Sequence, residues 1–156
     1  MDERNQKLAK EVLDTFCRAL DQKKINYVKH DGTLSVLFPM QEKSFAGAVS
    51  FQVDERHQLM EMSAMLPFKV KAVRRLDMAV AVCALNRDLP TGLLDYDLRK
   101  NLVYYRMTEL YADSRFEIGF FHKMLNYTAR LADECCEKLE ALNAGRITIE
   151  KFLNGT

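Results

Sequence analysis

The sequence predicts an α+β fold: one antiparallel sheet packed by helices on one face, in the order α-β-β-β-β-α-β-β-α-α. Three observations carry that prediction. Strand-like segments follow one another across short turns instead of alternating with helices, which excludes a parallel α/β sheet. Within those segments apolar residues recur with period two, so that one face of the sheet is apolar and the other is not. Between and after them, apolar residues recur at three- and four-residue spacing, the mark of helices with a buried stripe.

The first helix is expected over 4–24, where Leu8, Val12, Leu13, Phe16, Cys17 and Leu20 form a stripe and Asp14, Arg18 and Lys24 take other faces. Two strands, 27–30 and 34–38, meet across Asp31-Gly32, a dipeptide suited to the positive φ of a tight hairpin turn. Pro39 is expected to end the second strand or to hold its edge. The third strand, 45–53, and the fourth, 59–66, are joined by the charged turn Asp54-Glu55-Arg56-His57, and Pro67 closes the fourth.

A helix over 69–86 follows, with Val73, Leu76, Val80 and Cys83 along one stripe and apolar residues on a second face around Met78 to Leu85. A helix apolar on more than one face is expected to be deeply buried. Leu89-Pro90-Thr91-Gly92 is a turn, and strands 93–98 and 102–110 form a hairpin about Arg99-Lys100-Asn101. Ser114 and Glu117 have capping-box spacing ahead of a long helix whose seam is Phe121, Leu125, Thr128, Leu131, Cys135, Leu139 and Leu142. Gly145 stops that helix, and a short one starts at Thr148 with Ile147 and Phe152 placed as a hydrophobic staple.

Sorting the strands by alternation puts Leu34, Val36, Phe38, Val49, Phe51, Val53, Met60, Met62, Leu66, Leu94, Tyr96, Val103, Tyr105 and Met107 under the helices. The opposite face collects Ser35, Leu37, Ala48, Ser50, Gln52, Glu61, Ser63, Met65, Asp95, Asp97, Tyr104, Arg106 and Thr108. Small neutral residues let another surface approach closely, and Tyr, Met and Arg are favoured at interfaces. The candidate partner-binding residues are therefore Ser50, Gln52, Ser63, Met65, Tyr104 and Arg106, on a face that would dock a peptide or a second subunit.

Composition narrows the function. The 156 residues are 48% hydrophobic and carry a formal net charge of +1, too apolar for a disordered chain and too balanced for a dedicated nucleic-acid or polybasic membrane binder. The length suits a single domain over 1–156, able to bury about 70% of its unfolded surface without metals or disulfides. Cys17, Cys83, Cys135 and Cys136 lack the spacing of a zinc or redox motif and read as small buried hydrophobes. A polar start, Met1-Asp2-Glu3-Arg4-Asn5-Gln6, shows no signal peptide and no apolar run approaches a membrane span, so a reducing cytoplasm is expected.

Chemistry-bearing constellations are sparse. His30, His57 and His122 have no cysteine or carboxylate at metal-ligand spacing, and no glycine-rich phosphate loop or Gly-x-Ser-x-Gly motif is present, so neither cofactor nor metal is expected. Asp95 and Asp97 share a strand face roughly 7 Å apart, and are the one pair suited to a divalent ion or acid/base work. Lys69, Lys71, Arg74 and Arg75 form a basic cluster at a helix start, where positive charge opposes the macrodipole; it would serve an acidic partner or nucleic acid.

The stretch Leu85-Asn86-Arg87-Asp88-Leu89-Pro90-Thr91-Gly92-Leu93-Leu94-Asp95-Tyr96-Asp97, followed by Val103-Tyr104-Tyr105-Arg106, resembles the YbjN-like bacterial domains. The element order is also similar to the type III secretion chaperone fold. Asn101 stands where that family often has glycine, and Leu94 where it often has phenylalanine. The resemblance implies a small cytoplasmic, non-enzymatic domain, often dimeric, that regulates or binds other proteins, and it carries over no catalytic residue. Asn86 reads as a helix terminator and Gly92 as a turn residue. The reading is thus a non-enzymatic protein-binding or regulatory module, chaperone-like and homodimeric. Its alternatives are a metal-assisted enzyme using Asp95 and Asp97, or a regulator using the basic cluster.

Overall fold

The computed structural model describes residues 3–30, 32–112 and 114–155. Its elements run α1 (Glu3–Gln22), β1 (Val28–Lys29), β2 (Ser35–Gln41), β3 (Ala46–Asp54), β4 (Leu59–Lys69), α2 (Arg75–Asp88), β5 (Leu93–Asp97), β6 (Leu102–Leu110), α3 (Ile118–Asn143) and α4 (Ile149–Asn154), the order the sequence predicts. All strand pairs are antiparallel in one sheet of order β1-β2-β3-β4-β6-β5. The connection from β4 through α2 reaches the far edge, and β6 then returns between β4 and β5.

The expected alternation decides which face is covered. Val36, Phe38, Val49, Phe51, Met60, Met62, Leu94, Val103, Tyr105 and Met107 are buried, together with the α1 stripe from Val12 to Leu20 and the whole predicted seam of α3, while Leu8 at the start of the α1 stripe is half-buried. At the centre, Phe16 of α1 stacks on Phe51 of β3 at 3.8 Å between ring centroids, and Phe121 of α3 meets both rings edge-on. One aromatic cluster therefore joins both long helices to the sheet.

Polar side chains fix the connections. Asp133 of α3 accepts the backbone N–H groups of Ser44 and Phe45, holding the β2–β3 turn. Asn143, at the end of α3, accepts from Lys71 N–H and donates to the Lys69 carbonyl, bracketing the exit from β4. Gly145 follows with φ +76°, the left-handed stop expected there, and the Thr148 side chain caps α4 by accepting from Lys151 N–H. Asn101 has φ +57°, which explains a turn position that glycine also suits.

Several local expectations need correction. Strand β2 continues through Pro39 to Gln41, because β1 pairs only with Val36 and Leu37 and leaves Pro39 on an open edge. Strand β4 likewise continues through Pro67 to Lys69; Pro67 sits inside a register shift against β6, between Met65 and Lys69, where no ladder donor is needed. That longer strand delays the helix: residues 72–74 form one 3-10 turn and α2 proper starts at Arg75. The buried face of α2 is Met78, Ala81, Val82 and Leu85, while the stripe of Val73, Leu76, Val80 and Cys83 lies exposed. Cys83 is thus not a buried hydrophobe, unlike the other three cysteines.

Ser114 and Glu117 form no capping box. Helix α3 begins at Ile118 with Glu117 extended and making no side-chain cap; Phe116 instead packs on Phe120 and Phe121 and anchors the entering chain. Asn86 does not terminate α2, which runs two residues further. Of the Asp31-Gly32 turn, Asp31 lies outside the described residues, as do Met1 and Asp2 of the polar start, and Gly32 has φ +76°.

Candidate functional site

The uncovered sheet face assembles the six candidate residues. Strand register lays Leu37, Ser50, Ser63, Arg106 and Leu93 in one row from β2 to β5. A neighbouring row holds Ser35, Gln52, Glu61 and Thr108, and Met65 lies opposite Tyr104, which lies opposite Asp95. Ser50 and Ser63 face one another at the middle, so the centre of the face is small and neutral.

Arg106 is the fixed charge of this surface. Its Nη1 donates to Glu61 Oε1 at 2.8 Å, its Nε stands 3.1 Å from Asp95 Oδ2, and its guanidinium lies 5.1 Å from the Tyr104 ring centroid. The Nε contact is an ion pair without hydrogen-bond alignment. Two carboxylates and an aromatic ring hold Arg106 along the sheet instead of letting it reach outward. The sequence places these residues on one face through alternation, but that Glu61 and Asp95 share Arg106 depends on β6 inserting between β4 and β5, which no local spacing reveals.

The two aspartates do not act as a pair. Asp95 is committed to Arg106, whereas Asp97 accepts the backbone N–H groups of Arg99 and Lys100 in the β5–β6 turn. Those turn hydrogen bonds, chiefly that from Lys100, hold the Asp97 carboxyl below its ordinary pKa. Among the described residues no group of three or more His, Cys, Asp or Glu side chains is arranged to hold a metal ion. His57 contacts Asp54 Oδ2 at 2.8 Å and His122 lies 3.2 Å from the Ala19 carbonyl, each serving a local structural contact.

The basic cluster is likewise divided. Lys69 ends β4, Arg74 pairs with Asp77 at 3.2 Å, and Arg75 donates to the Leu98 carbonyl. The two edges of the sheet differ too. On β5, Asn86 accepts from Leu94 N–H and donates to Leu94 C=O, so an amide from α2 satisfies backbone groups that a further strand would otherwise take. On the opposite side, β1 pairs with β2 only at Val36 and Leu37. There a mostly apolar recess of about 340 Å³ is lined by Tyr27, Val28, Leu37, Phe38, Pro39 and Ala48, extending the open face toward the β2 edge. This recess was not legible in the sequence, because Tyr27 and Val28 meet Ala48 only through the β1–β2–β3 pairing.

The thiols separate by burial. Desolvation pushes Cys135 and Cys136 up to about 11 and raises Cys17 as well. A maleimide at mildly alkaline pH is therefore expected to label Cys83 quickly in the native protein and the other three only after denaturation. Rapid native labelling at a second position, read by mass spectrometry, would contradict that ordering.

The fold has counterparts among solved structures. YbjN from E. coli, a suggested transcription regulator, shares the arrangement with a TM-score of 0.62 at 16% identity, covering 86% of this chain and 92% of that one. The fold is YbjN-like. A chain of the HopA1–SchA chaperone–effector complex also matches, with a TM-score of 0.58 at 17% identity over 88% of this chain and 98% of that one. The fold is therefore also chaperone-like, as the element order led one to expect. No family model matches the chain, and no curated protein sequence does. Among the described residues no helix is long and apolar enough to cross a membrane.

Proposed function

We propose that this chain is a non-enzymatic protein-binding module of the chaperone type, acting as a homodimer, whose open sheet face takes an extended segment of another protein. The observation that carries this reading is the row Leu37–Ser50–Ser63–Arg106, with a small neutral centre, apolar side chains toward the β2 edge, and a charge already neutralised by Glu61 and Asp95. An incoming strand or loop meets a guanidinium already held by two carboxylates, with one negative charge in excess, and finds the Tyr27–Pro39 recess beside it. The fold shared with a chain of a chaperone–effector complex supports the same reading. The separate structural duties of Asp95 and Asp97 weigh against a metal-assisted enzyme, and the division of Lys69, Arg74 and Arg75 weighs against a nucleic-acid surface. Four free cysteines suit a reducing, cytoplasmic setting.

The double variant Ser50→Lys with Ser63→Glu tests the face directly. The two positions are opposite one another, so the introduced charges pair across the strands and the fold is retained. Binding to an immobilised array of unstructured peptides is expected to fall sharply while the urea midpoint stays close to that of the parent. Peptide binding that is unchanged in the variant, or absent from the parent, would overturn the proposal.

A further inference from the structure

We propose that the end of the sheet where β4 leaves and the β5–β6 hairpin turns is a seat for an acidic polypeptide stretch, continuous with the open face. This rests on the protein-binding reading above and names the chemistry of the segment bound: neutral or apolar over the face, acidic where it runs past this end. Four separate pieces of chain converge here. Asn143, closing α3, brackets Lys69 and Lys71, and Val70 N–H donates to the Asn101 carbonyl in the hairpin turn. Arg75, at the start of α2, donates to the Leu98 carbonyl, and the Arg74 guanidinium lies over Gly145, 2.8 Å from where a Cβ would stand. Each piece brings cations: Lys69 and Lys71, Arg74 and Arg75, Arg99 and Lys100, and Arg146. Residues 69–77, 97–101 and 143–146 thus hold seven of the chain's 23 Lys and Arg but only two of its 22 Asp and Glu, so a chain of net charge +1 is strongly polarised.

The fold itself does not use most of this charge. Arg74 is taken by Asp77 at 3.2 Å, Arg75 by the Leu98 carbonyl, and Lys100 stands 3.7 Å from Asp97. Lys69, Lys71, Arg99 and Arg146 are exposed and make no ion pair among the described residues. Like charges brought together repel, and those at the start of α2 oppose its dipole, so the cluster costs stability that an acidic ligand would offset. Strand register joins it to the open face. Met65 lies opposite Tyr104, and one row further out Lys69 lies opposite Leu102, which lies opposite Asp97. The Met65 carbonyl lies against Gly47 of β3, so the same end of the sheet reaches Ala48 and Pro39 of the apolar recess. A segment crossing the strands from that recess therefore passes Met65, then meets Lys69, Arg99 and Lys100. Met65, 40% exposed, and Leu98, 52% exposed, stand among the cations and suit the side chains of a peptide. A nucleic acid fits less well, because the Tyr104 ring already carries the Arg106 guanidinium and Asp97 lies where phosphates would sit.

Fluorescence anisotropy with two labelled, unstructured peptides tests the seat. Both share one neutral, partly apolar half and end in a run of Glu or in the same run of Gln. At about 50 mM salt the parent chain is expected to bind the Glu-ended peptide on the order of tenfold more tightly, and to lose that preference at about 0.5 M salt. Lys69→Gln with Lys71→Gln, Arg99→Gln and Lys100→Gln is expected to erase the preference. It should leave affinity for the Gln-ended peptide and the far-UV circular dichroism spectrum unchanged, since all four side chains are exposed. Equal affinity of the parent for the two peptides, or a preference that survives the fourfold variant, overturns the acidic seat and leaves the open-face reading standing. An oligonucleotide of equal charge that binds more tightly than the Glu-ended peptide, and is lost in the same variant, overturns it in favour of a nucleic-acid surface. A Glu-ended peptide lost in the fourfold variant but indifferent to Ser50→Lys with Ser63→Glu keeps the seat and overturns the open-face reading instead. A parent that binds neither peptide overturns both.

Discussion

Replacing Phe16 with alanine is expected to remove about 3–5 kcal/mol of stability, measured as the free energy of urea unfolding. Phe16 is fully buried, stacked on Phe51 at 3.8 Å, tilted against Phe38 at 5.7 Å and met edge-on by Phe121 at 5.5 Å. Truncation removes the apolar transfer energy of the ring and leaves a cavity that three other rings, each tied to a different element, cannot close without moving β2, β3 or α3. Against a total stability of about 5–15 kcal/mol typical of domains, the loss takes a large share. Leu76→Ala is the matched control. It shortens an exposed side chain and is expected to change the stability of the separated chain by no more than about 0.5 kcal/mol. Equal losses at the two positions would mean that Phe16 is not the centre of the core.

The contrast between Phe16 and Leu76 also shows what the sequence could and could not reveal. Phe16 lies in a helix with one apolar stripe, so periodicity alone orients it inward, and the α3 seam from Phe121 to Leu142 is legible for the same reason. In α2 the apolar residues occupy two faces. Periodicity then has no preferred direction, and the stripe expected to be buried is the one left outside. Which half faces inward is set by contacts with the next strand, β5, and with α3 and α4, which are remote in sequence. Both strands run further than expected: Pro39 holds an open edge, the second of the two roles foreseen for it, and Pro67, read as a terminator, sits in a register shift, positions where a missing N–H costs little. The membership of the open face followed from alternation, since period two survives any strand order. Its chemistry did not, because Arg106 reaches Glu61 across 45 residues of chain.

Gly92→Ala is expected to cost about 2–5 kcal/mol, from left-handed backbone strain together with overpacking, and to disturb the candidate site as well as the fold. Gly92 has φ +70°, where a side chain is already disfavoured, and a Cβ placed there would stand 2.5 Å from the Tyr105 hydroxyl and 2.7 Å from the Arg106 carbonyl oxygen. Neither neighbour yields easily. The Tyr105 hydroxyl donates to the Thr91 carbonyl at 3.0 Å, and its ring is buried under the helices. The Arg106 carbonyl belongs to β6, where Arg106 is paired with Leu93. Relief therefore requires β5 to swing away from β6, which separates Asp95 from Arg106 and breaks one of the two ion pairs that hold the guanidinium on the open face. Peptide binding and urea stability are expected to fall together in Gly92→Ala, whereas Ser50→Lys with Ser63→Glu lowers binding alone. Gly92→Ala at parental stability would show that the β5–β6 hairpin opens more freely than its packing implies. Parental binding in a destabilised variant would show instead that Asp95 and Arg106 do not shape the contact.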